Sequence, residues 1–290
     1  MITGRIIALF GYMKIKYLGT GAAEGIPAMF CSCDFCRQVR REGENACRTR
    51  SQVLIDDELS VDFPPEAYYH SLRFGVDLSA LKYLLVTHSH MDHFYAHDFI
   101  LRGYKYGRLA CGKLEIYGDE EVNKVYLECT RREMKEEVAK DISIGILHAY
   151  NEIAVGDYRV LTLPARHSTE EEALLYYVER GGKGYLHLCD TGALDDAAVA
   201  YLAEKGAHAD LITFDCTFLD APPREGTRHM CVEDNVRIRD RLLGAGVIGC
   251  GTKCVITHFS HNSKPTRERI AAVEEKYGVI AAYDGMTVEI

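Results

Sequence analysis

The stretch Thr87-His88-Ser89-His90-Met91-Asp92-His93 constrains this chain more than any other, because three imidazoles and a carboxylate crowd together directly after the apolar run KYLLV. A strand end followed by a tight turn can aim several side chains at one point. A helix would instead spread positions i, i+2, i+4 and i+5 around its circumference. Left without partners, such a group would gather costly polar atoms in one place, and a divalent cation removes that cost. Imidazole and carboxylate donors without a thiolate suit zinc, manganese or iron. A polar turn rich in histidine is the plain alternative, and it explains a lone histidine far better than it explains four donor groups on one turn.

The 290 residues carry 43 acidic and 34 basic side chains, a formal net charge of -9. That balance argues against broad attachment to nucleic acid or to an anionic membrane surface, so an anionic substrate needs a local positive centre. Eleven cysteines stand singly or in one tight cluster, in a chain too large to need stapling. They read as thiols of a reducing cytoplasm, not as a disulfide framework. The opening MITGRIIALFGYMKIKYLG has an apolar run after one arginine but no small-x-small cleavage site. Residues 1-12 are therefore expected to be an N-terminal extension, with Met13 an alternative start and 13-290 a single domain. No apolar stretch approaches the ~20 residues of a membrane-spanning helix.

Strand patterns occur at KIKYL, SQVLID, LSVD, KYLLVTH, LEIYG, YRVLTLP, ALLYYVER and GYLHLCD, with further strands closing at LITFD and CVITH. Helical patterns lie between them, roughly at Pro65 to Phe74, Phe94 to Arg102, Glu120 to Val138, Asp195 to Lys205, Val232 to Leu243 and Pro265 to Tyr277. Strands followed by helices in two similar halves predict an α/β (α+β) fold, a four-layer αββα sandwich. The run LGTGAAEG is spaced G-x-G-x3-G and lacks the helix of a dinucleotide fingerprint, so it reads as a tight turn bordering the active site. Arg37, Arg40, Arg41, Arg48 and Arg50 read as a solvated basic surface.

The H-x-H-x-D-H signature after a hydrophobic strand resembles the metallo-β-lactamase superfamily. What that superfamily requires follows in order: His167 in LPARHS, Asp190 closing GYLHLCD, and His258 closing CVITH. The resemblance implies one metal on His88, His90 and His167, and another on Asp92, His93 and His258. Asp190 bridges the two, with room for a shared hydroxide as nucleophile. Asp62 fills the place of an early aspartate that orients a metal-binding histidine, although Asp62-Phe63-Pro64 replaces the usual Asp-x-Gly and Ala96 a common glycine. Asp215 reads as a strand-end or supporting carboxylate and not as a ligand.

Cys31, Cys33 and Cys36 crowd three thiols into the loop after the first strand, a spacing that favours a structural zinc with one more ligand, either Cys47 or a remote histidine. LGTGAAEGIPAMFCSCDFC together with HSHMDH resembles the branch that includes the cyclic phosphodiesterase of the carbon-phosphorus lyase pathway. In that branch the second histidine of a late H-x-x-H completes the zinc site, which points to His261 in His258-Phe259-Ser260-His261. The same likeness gives His229, in Thr227-Arg228-His229-Met230, a role in binding phosphate or protonating the leaving oxygen, beside Asp92 as the other catalytic residue.

The function implied is that of a dinuclear zinc or manganese hydrolase, a phosphodiesterase for a small cyclic or nucleotide-like phosphodiester. It would have no membrane partner, little claim on nucleic acid, and a homodimer as its default assembly. The alternatives are a transfer RNA 3'-end-processing nuclease, which would need a basic arm not seen here, and a non-hydrolytic metal-binding protein of cofactor biosynthesis.

Overall fold

The computed structural model of the chain describes residues 12–290. The expected extension over residues 1-12 thus lies, apart from Tyr12, outside the described residues. The described residues run through fourteen strands and seven α-helices. The first half contains β1 (Lys14–Gly19), α1 (Asp34–Glu42), β2 (Gln52–Ile55), β3 (Leu59–Val61), α2 (Ala67–Phe74), β4 (Tyr83–Leu85), β5 (Leu114–Gly118), α3 (Glu120–Thr130), α4 (Glu136–Ala139) and β6 (Ile142–Ile146). The second half contains β7 (Glu152–Val155), β8 (Tyr158–Pro164), β9 (Leu174–Arg180), β10 (Lys183–Leu188), α5 (Asp196–Glu204), β11 (Ala209–Asp215), α6 (Val232–Gly244), β12 (Ile248–Thr257), α7 (Arg267–Tyr277), β13 (Ile280–Ala281) and β14 (Thr287–Glu289).

The strands form two seven-stranded sheets, ordered β14-β1-β2-β3-β4-β5-β6 and β13-β12-β11-β10-β9-β8-β7. Side chains alternate across each strand, so each sheet feeds two apolar layers. Ile15, Tyr17, Val53 and Ile55 of the first sheet meet Val160, Tyr176, Tyr185 and Leu211 of the second in a central layer. On the outer face of the first sheet, Leu54, Leu84 and Ile116 pack against Val122 and Tyr126 of α3. On the outer face of the second, Leu186, Leu188 and Ile212 pack against Ala198, Leu202, Ile238 and Leu242 of α5 and α6. The result is the four-layer αββα sandwich. No helix among the described residues is long and apolar enough to cross a membrane.

Three expectations need correction. Phe94 to Arg102 forms a 3-10 helix over Ala96–Leu101, and the charged run from Glu120 breaks after Thr130 into α3 and the short α4. Arg48 and Arg50 are not solvated. Arg50 is buried, donating to the Ala23 carbonyl and pairing with Glu66 at 3.0 Å. Arg48 donates to Thr20 at 2.9 Å and lies over the Phe259 ring. Their backbone also explains Gly19, where a Cβ would stand 1.9 Å from the Arg50 carbonyl oxygen.

Candidate metal centre

Parallel strands place their carboxyl ends on one edge. β3, β4 and β5 are mutually parallel, as are β10, β11 and β12, and the turns leaving these strands converge where the two sheets meet. Asp62 leaves β3, His88 to His93 follow β4, Asp190 follows β10, Asp215 ends β11 and His258 follows β12, while His167 comes after β8. Asp62, Asp190 and His258 all hold left-handed backbone, with φ of 64°, 58° and 61°. Each such residue turns the chain sharply at a strand end.

The donor atoms fall into three groups, and the third, Asp190, Asp215, His229 and His258, shares Asp190 and His258 with the second. Those of His88, His90 and His167 lie within 4.8 Å of one another, as do those of Asp92, His93, Asp190 and His258. His88 Nε2 is 2.9 Å from His90 Nδ1, and His167 Nε2 is 3.3 Å from the same atom. Asp190 touches the first two groups. Its carboxylate lies 3.4 Å from His88 Nε2, 3.2 Å from His167 Nδ1, 3.1 Å from His93 Nε2 and 3.8 Å from His258 Nε2.

The histidines are aimed by their other nitrogens. His93 Nδ1 donates to Asp62 at 2.6 Å, and Asp62 also accepts the Thr87 amide at 2.8 Å. The Thr87 hydroxyl, itself donating to Asp62, accepts from His88 Nδ1 at 3.0 Å. Thr217 does the same for His258, accepting from Nδ1 at 2.9 Å and donating to the His258 carbonyl. Glu171 accepts the Ser89 amide and fixes the turn between His88 and His90. Three Nε2 atoms therefore face the centre, the arrangement in which a supporting hydrogen bond selects the tautomer of a ligand histidine.

Burial and close opposite charges govern the electrostatics of these groups. Burial, reinforced by neighbouring His93, holds His88 well below the usual imidazole range. Burial opposes the His93 imidazolium as well, but the Asp62 and Asp92 carboxylates outweigh it and raise its pKa well above normal. Asp190 is held well below the carboxylate range because His258, His229 and His93 overcome its burial. Yet His93 Nε2, His167 Nδ1, Asp190 Oδ1 and His258 Nε2 are buried without an aligned hydrogen-bond partner. Four orphaned donor atoms pointing into one space are what divalent cations would satisfy. The residues present fit such a group.

His229 stands on the open side. Its Nδ1 is 3.0 Å from both Asp190 and Asp215, and its ring stacks on His258 with centroids 5.5 Å apart. Burial disfavours its charged form, but Asp215 and Asp190 win and push it up to about 10. Asp215 accepts the amides of Thr217 and Met230 and so acts as a supporting carboxylate. Gly192 permits the approach of this loop, since a Cβ there would meet the Thr227 carbonyl oxygen at 2.3 Å. His90, Asp92, His167, Asp190, His229 and His258 line one cavity of about 740 Å³, whose rim includes Ala22 to Glu24 of the glycine turn.

The donor atoms of Cys31, Cys33, Cys36 and His261 form a separate group, again within 4.8 Å of one another. Cys33 caps α1, and each sulfur accepts a backbone amide: Cys31 from Cys33, Cys33 from Cys36, and Cys36 from Ala28. The Cys36 amide, with His261 and Cys31, lowers the Cys33 thiol to about 6, while burial raises Cys36 to about 11. Cys47 lies outside the group, its sulfur 3.6 Å from the Gly43 carbonyl. The four donors suit a tetrahedral structural cation.

Thr87, Thr217 and Glu171 were not singled out by the sequence. The only signal for them is position, one residue before the histidine cluster for Thr87 and two after Asp215 for Thr217.

A two-sheet sandwich with a histidine and aspartate cluster at the edge where its strand ends converge defines a class of protein built around an edge-on metal site. A model of the beta-lactamase superfamily domain matches residues 60–269, and the chain belongs to that superfamily. Among solved structures, it resembles a diphosphatase from the PhnP family, with a TM-score of 0.71 and 20% identity over 97% of this chain and 98% of that one. It also resembles Zn(2+)-bound PqqB from Methylobacterium extorquens, with a TM-score of 0.69 and 17% identity over 96% and 100% of the chains. The short form of human tRNase Z gives a TM-score of 0.66 and 17% identity over 95% and 98%. An octanoyltransferase of Porphyromonas gingivalis is 33% identical over 85 residues, 28% of this chain. The chain spans 16% of the length of that curated relative.

Proposed function

We propose that the protein is a divalent-metal-dependent phosphodiesterase acting on a small cyclic or nucleotide-like phosphodiester. The observation that carries this reading is Asp190, whose carboxylate lies within 3.8 Å of histidines from both donor groups and has one buried oxygen without an aligned partner. His88, His90 and His167 would hold one cation, and Asp92, His93 and His258 the other, with Asp190 shared. Cys31, Cys33, Cys36 and His261 would hold a structural zinc. Two cations in such a site would lower the pKa of a shared water and neutralise charge on attacking and leaving oxygens.

The remaining work falls to side chains. Asp62 and the hydroxyls of Thr87 and Thr217 keep His93, His88 and His258 aimed inward. Hard carboxylates at Asp92 and Asp190 favour an oxygen-rich phosphate over a softer substrate. His229 lines the cavity between Asp190 and Asp215, and its Nε2 is the nitrogen its carboxylate contacts leave free. That nitrogen serves to bind a phosphate oxygen or to protonate the departing one.

The test is hydrolysis of bis(p-nitrophenyl) phosphate by protein loaded with manganese or zinc. Turnover that His90→Ala abolishes is expected. No turnover with either metal bound contradicts the reading.

A further inference from the structure

A second cavity, of about 980 Å³, lies between α1, α7 and the turn joining β13 to β14, and it shares no lining residue with the metal cavity. Phe35 and Val39 of α1, Ile270 of α7, Ile280 and Met286 give it apolar walls. Arg48 lines it too, and three contacts fix that side chain. Its Nη1 donates to the Thr20 hydroxyl at 2.9 Å and to the Ala282 carbonyl, and its guanidinium carbon stands 4.3 Å from the centroid of the Phe259 ring.

The other edge of the guanidinium is open. Nε and Nη2, the two donors that share it, have no hydrogen-bond partner among the described residues, and no carboxylate pairs with them. Neither atom is sealed in the interior, so the edge opens to the cavity that Arg48 lines. Burial outweighs the carboxylates of Asp284 and Glu274 and lowers Arg48 from 12.5 to about 10. A side chain that stays protonated at physiological pH thus lacks a counter-ion.

The carboxylates of the cavity do not supply one. Asp284 accepts from the Thr20 hydroxyl at 2.6 Å and from the amide and hydroxyl of Thr49, each at 2.7 Å. Glu274 accepts the Ala281 amide at 2.8 Å, and Glu42 accepts from Gln38 at 2.6 Å. Glu268 is held below the usual carboxylate range by its own amide and the Thr266 hydroxyl. Arg73 is answered by Glu44 at 3.1 Å. What stays open is cationic: the Arg48 edge, and Arg267, exposed at the start of α7 and without an ion pair among the described residues.

Two parallel N–H donors on one guanidinium edge form the fork that takes both oxygens of a carboxylate. Thr20, Ala282 and Phe259 already fix this fork, so little side-chain freedom is lost when an anion arrives. With four carboxylates in the lining, a singly charged planar anion fits where a phosphate dianion would be repelled. The volume lies at the upper end of small-ligand pockets, and the apolar walls suit a hydrocarbon body.

We propose that the cavity between α1 and α7 is a binding site for a small organic carboxylate, its two oxygens on Nε and Nη2 of Arg48 and its hydrocarbon against Phe35, Val39 and Ile270. The site is separate from the metal centre and does not depend on the phosphodiesterase reading.

The test is calorimetric titration of metal-loaded protein with hexanoate, and with hexan-1-ol and hexylamine as probes of equal chain length. We expect hexanoate to bind about tenfold or more tightly than either, the gain of a charge-assisted fork. Arg48→Lys keeps the charge without the fork, and Ile270→Trp fills the cavity without touching Arg48. Each should weaken hexanoate binding by about tenfold or more, and either one alone decides the matter if the other does not fold. Circular dichroism and unchanged metal content identify the folded variants. Binding that survives in either folded variant puts the carboxylate elsewhere, as on the metals, and overturns the site. Equal binding of hexanoate and hexan-1-ol, or no binding of hexanoate at millimolar concentration, overturns it as well.

Discussion

Asp62 shows how much one side chain does at this site. With φ of 64° it accepts from His93 Nδ1 at 2.6 Å and from both the amide and hydroxyl of Thr87. Left-handed backbone costs of order 1–3 kcal/mol for a non-glycine residue, least for aspartate and asparagine, so the turn suits the residue that fills it. Asp62→Ala frees both His93 and Thr87, and through Thr87 it loosens His88. We expect about a 10–100-fold loss of metal affinity or activity with the fold retained, read by metal titration alongside circular dichroism. Unchanged affinity would remove Asp62 from the orienting network. The ligand types at this scale were legible because H-x-H-x-D-H fixes spacing within one turn. Thr87 and Thr217 were not, since a hydroxyl has no spacing signal of its own and matters only through the histidine folded against it. Arg48 and Arg50 misled for the opposite reason. Their charge suggested solvent, but carbonyls and Glu66 brought close by folding engage them inside.

Elements were legible where periodicity was strong. Buried strands such as β8, β9 and β10 follow their apolar runs, and α2, α5, α6 and α7 lie within a few residues of their helical patterns. α1 was hidden because its start is a cysteine cap inside a sequence read for its thiols. β6, β7 and β14 lie at or near sheet edges, are short and carry exposed positions, which weakens their pattern. The join between α2 and β2 carries a testable property. His70 of α2 is fully buried, with Nδ1 2.7 Å from Gln52 and Nε2 2.7 Å from Thr49. Burial, with Arg73 nearby, lowers it from 6.5 to about 3. Its folded pKa lies below the unfolded one, so its neutral form contributes stability fully present above about pH 6.5 and lost progressively as pH falls toward 3. We expect His70→Gln to flatten the acid limb of urea-unfolding stability by up to about 1.4 kcal/mol per pH unit between pH 6 and 4. An acid limb as steep in the variant as in the native chain would show that His70 is not protonated on unfolding.

The whole molecule explains why donors so far apart in sequence meet. Each sheet contributes parallel strand ends to one edge, and the two sheets, packed through Tyr17, Tyr176 and Tyr185, hold those edges together. The four-layer arrangement was legible from the order of strands and helices. The closeness of the two metal groups followed only from the family likeness, because no local pattern says that the turns after β4, β8, β10 and β12 share a point. Asp190 is decisive, since a paired cation centre requires it to serve both groups. Elemental analysis of metal-loaded protein tests this most directly. We expect about three divalent cations per chain, two at the edge and one at the cysteine cluster, falling to about two when Cys36→Ser removes a thiolate ligand. One cation per chain in the native protein, lost with Cys36→Ser, would show that the histidine and aspartate cluster holds no metal and would contradict a paired cation centre at Asp190.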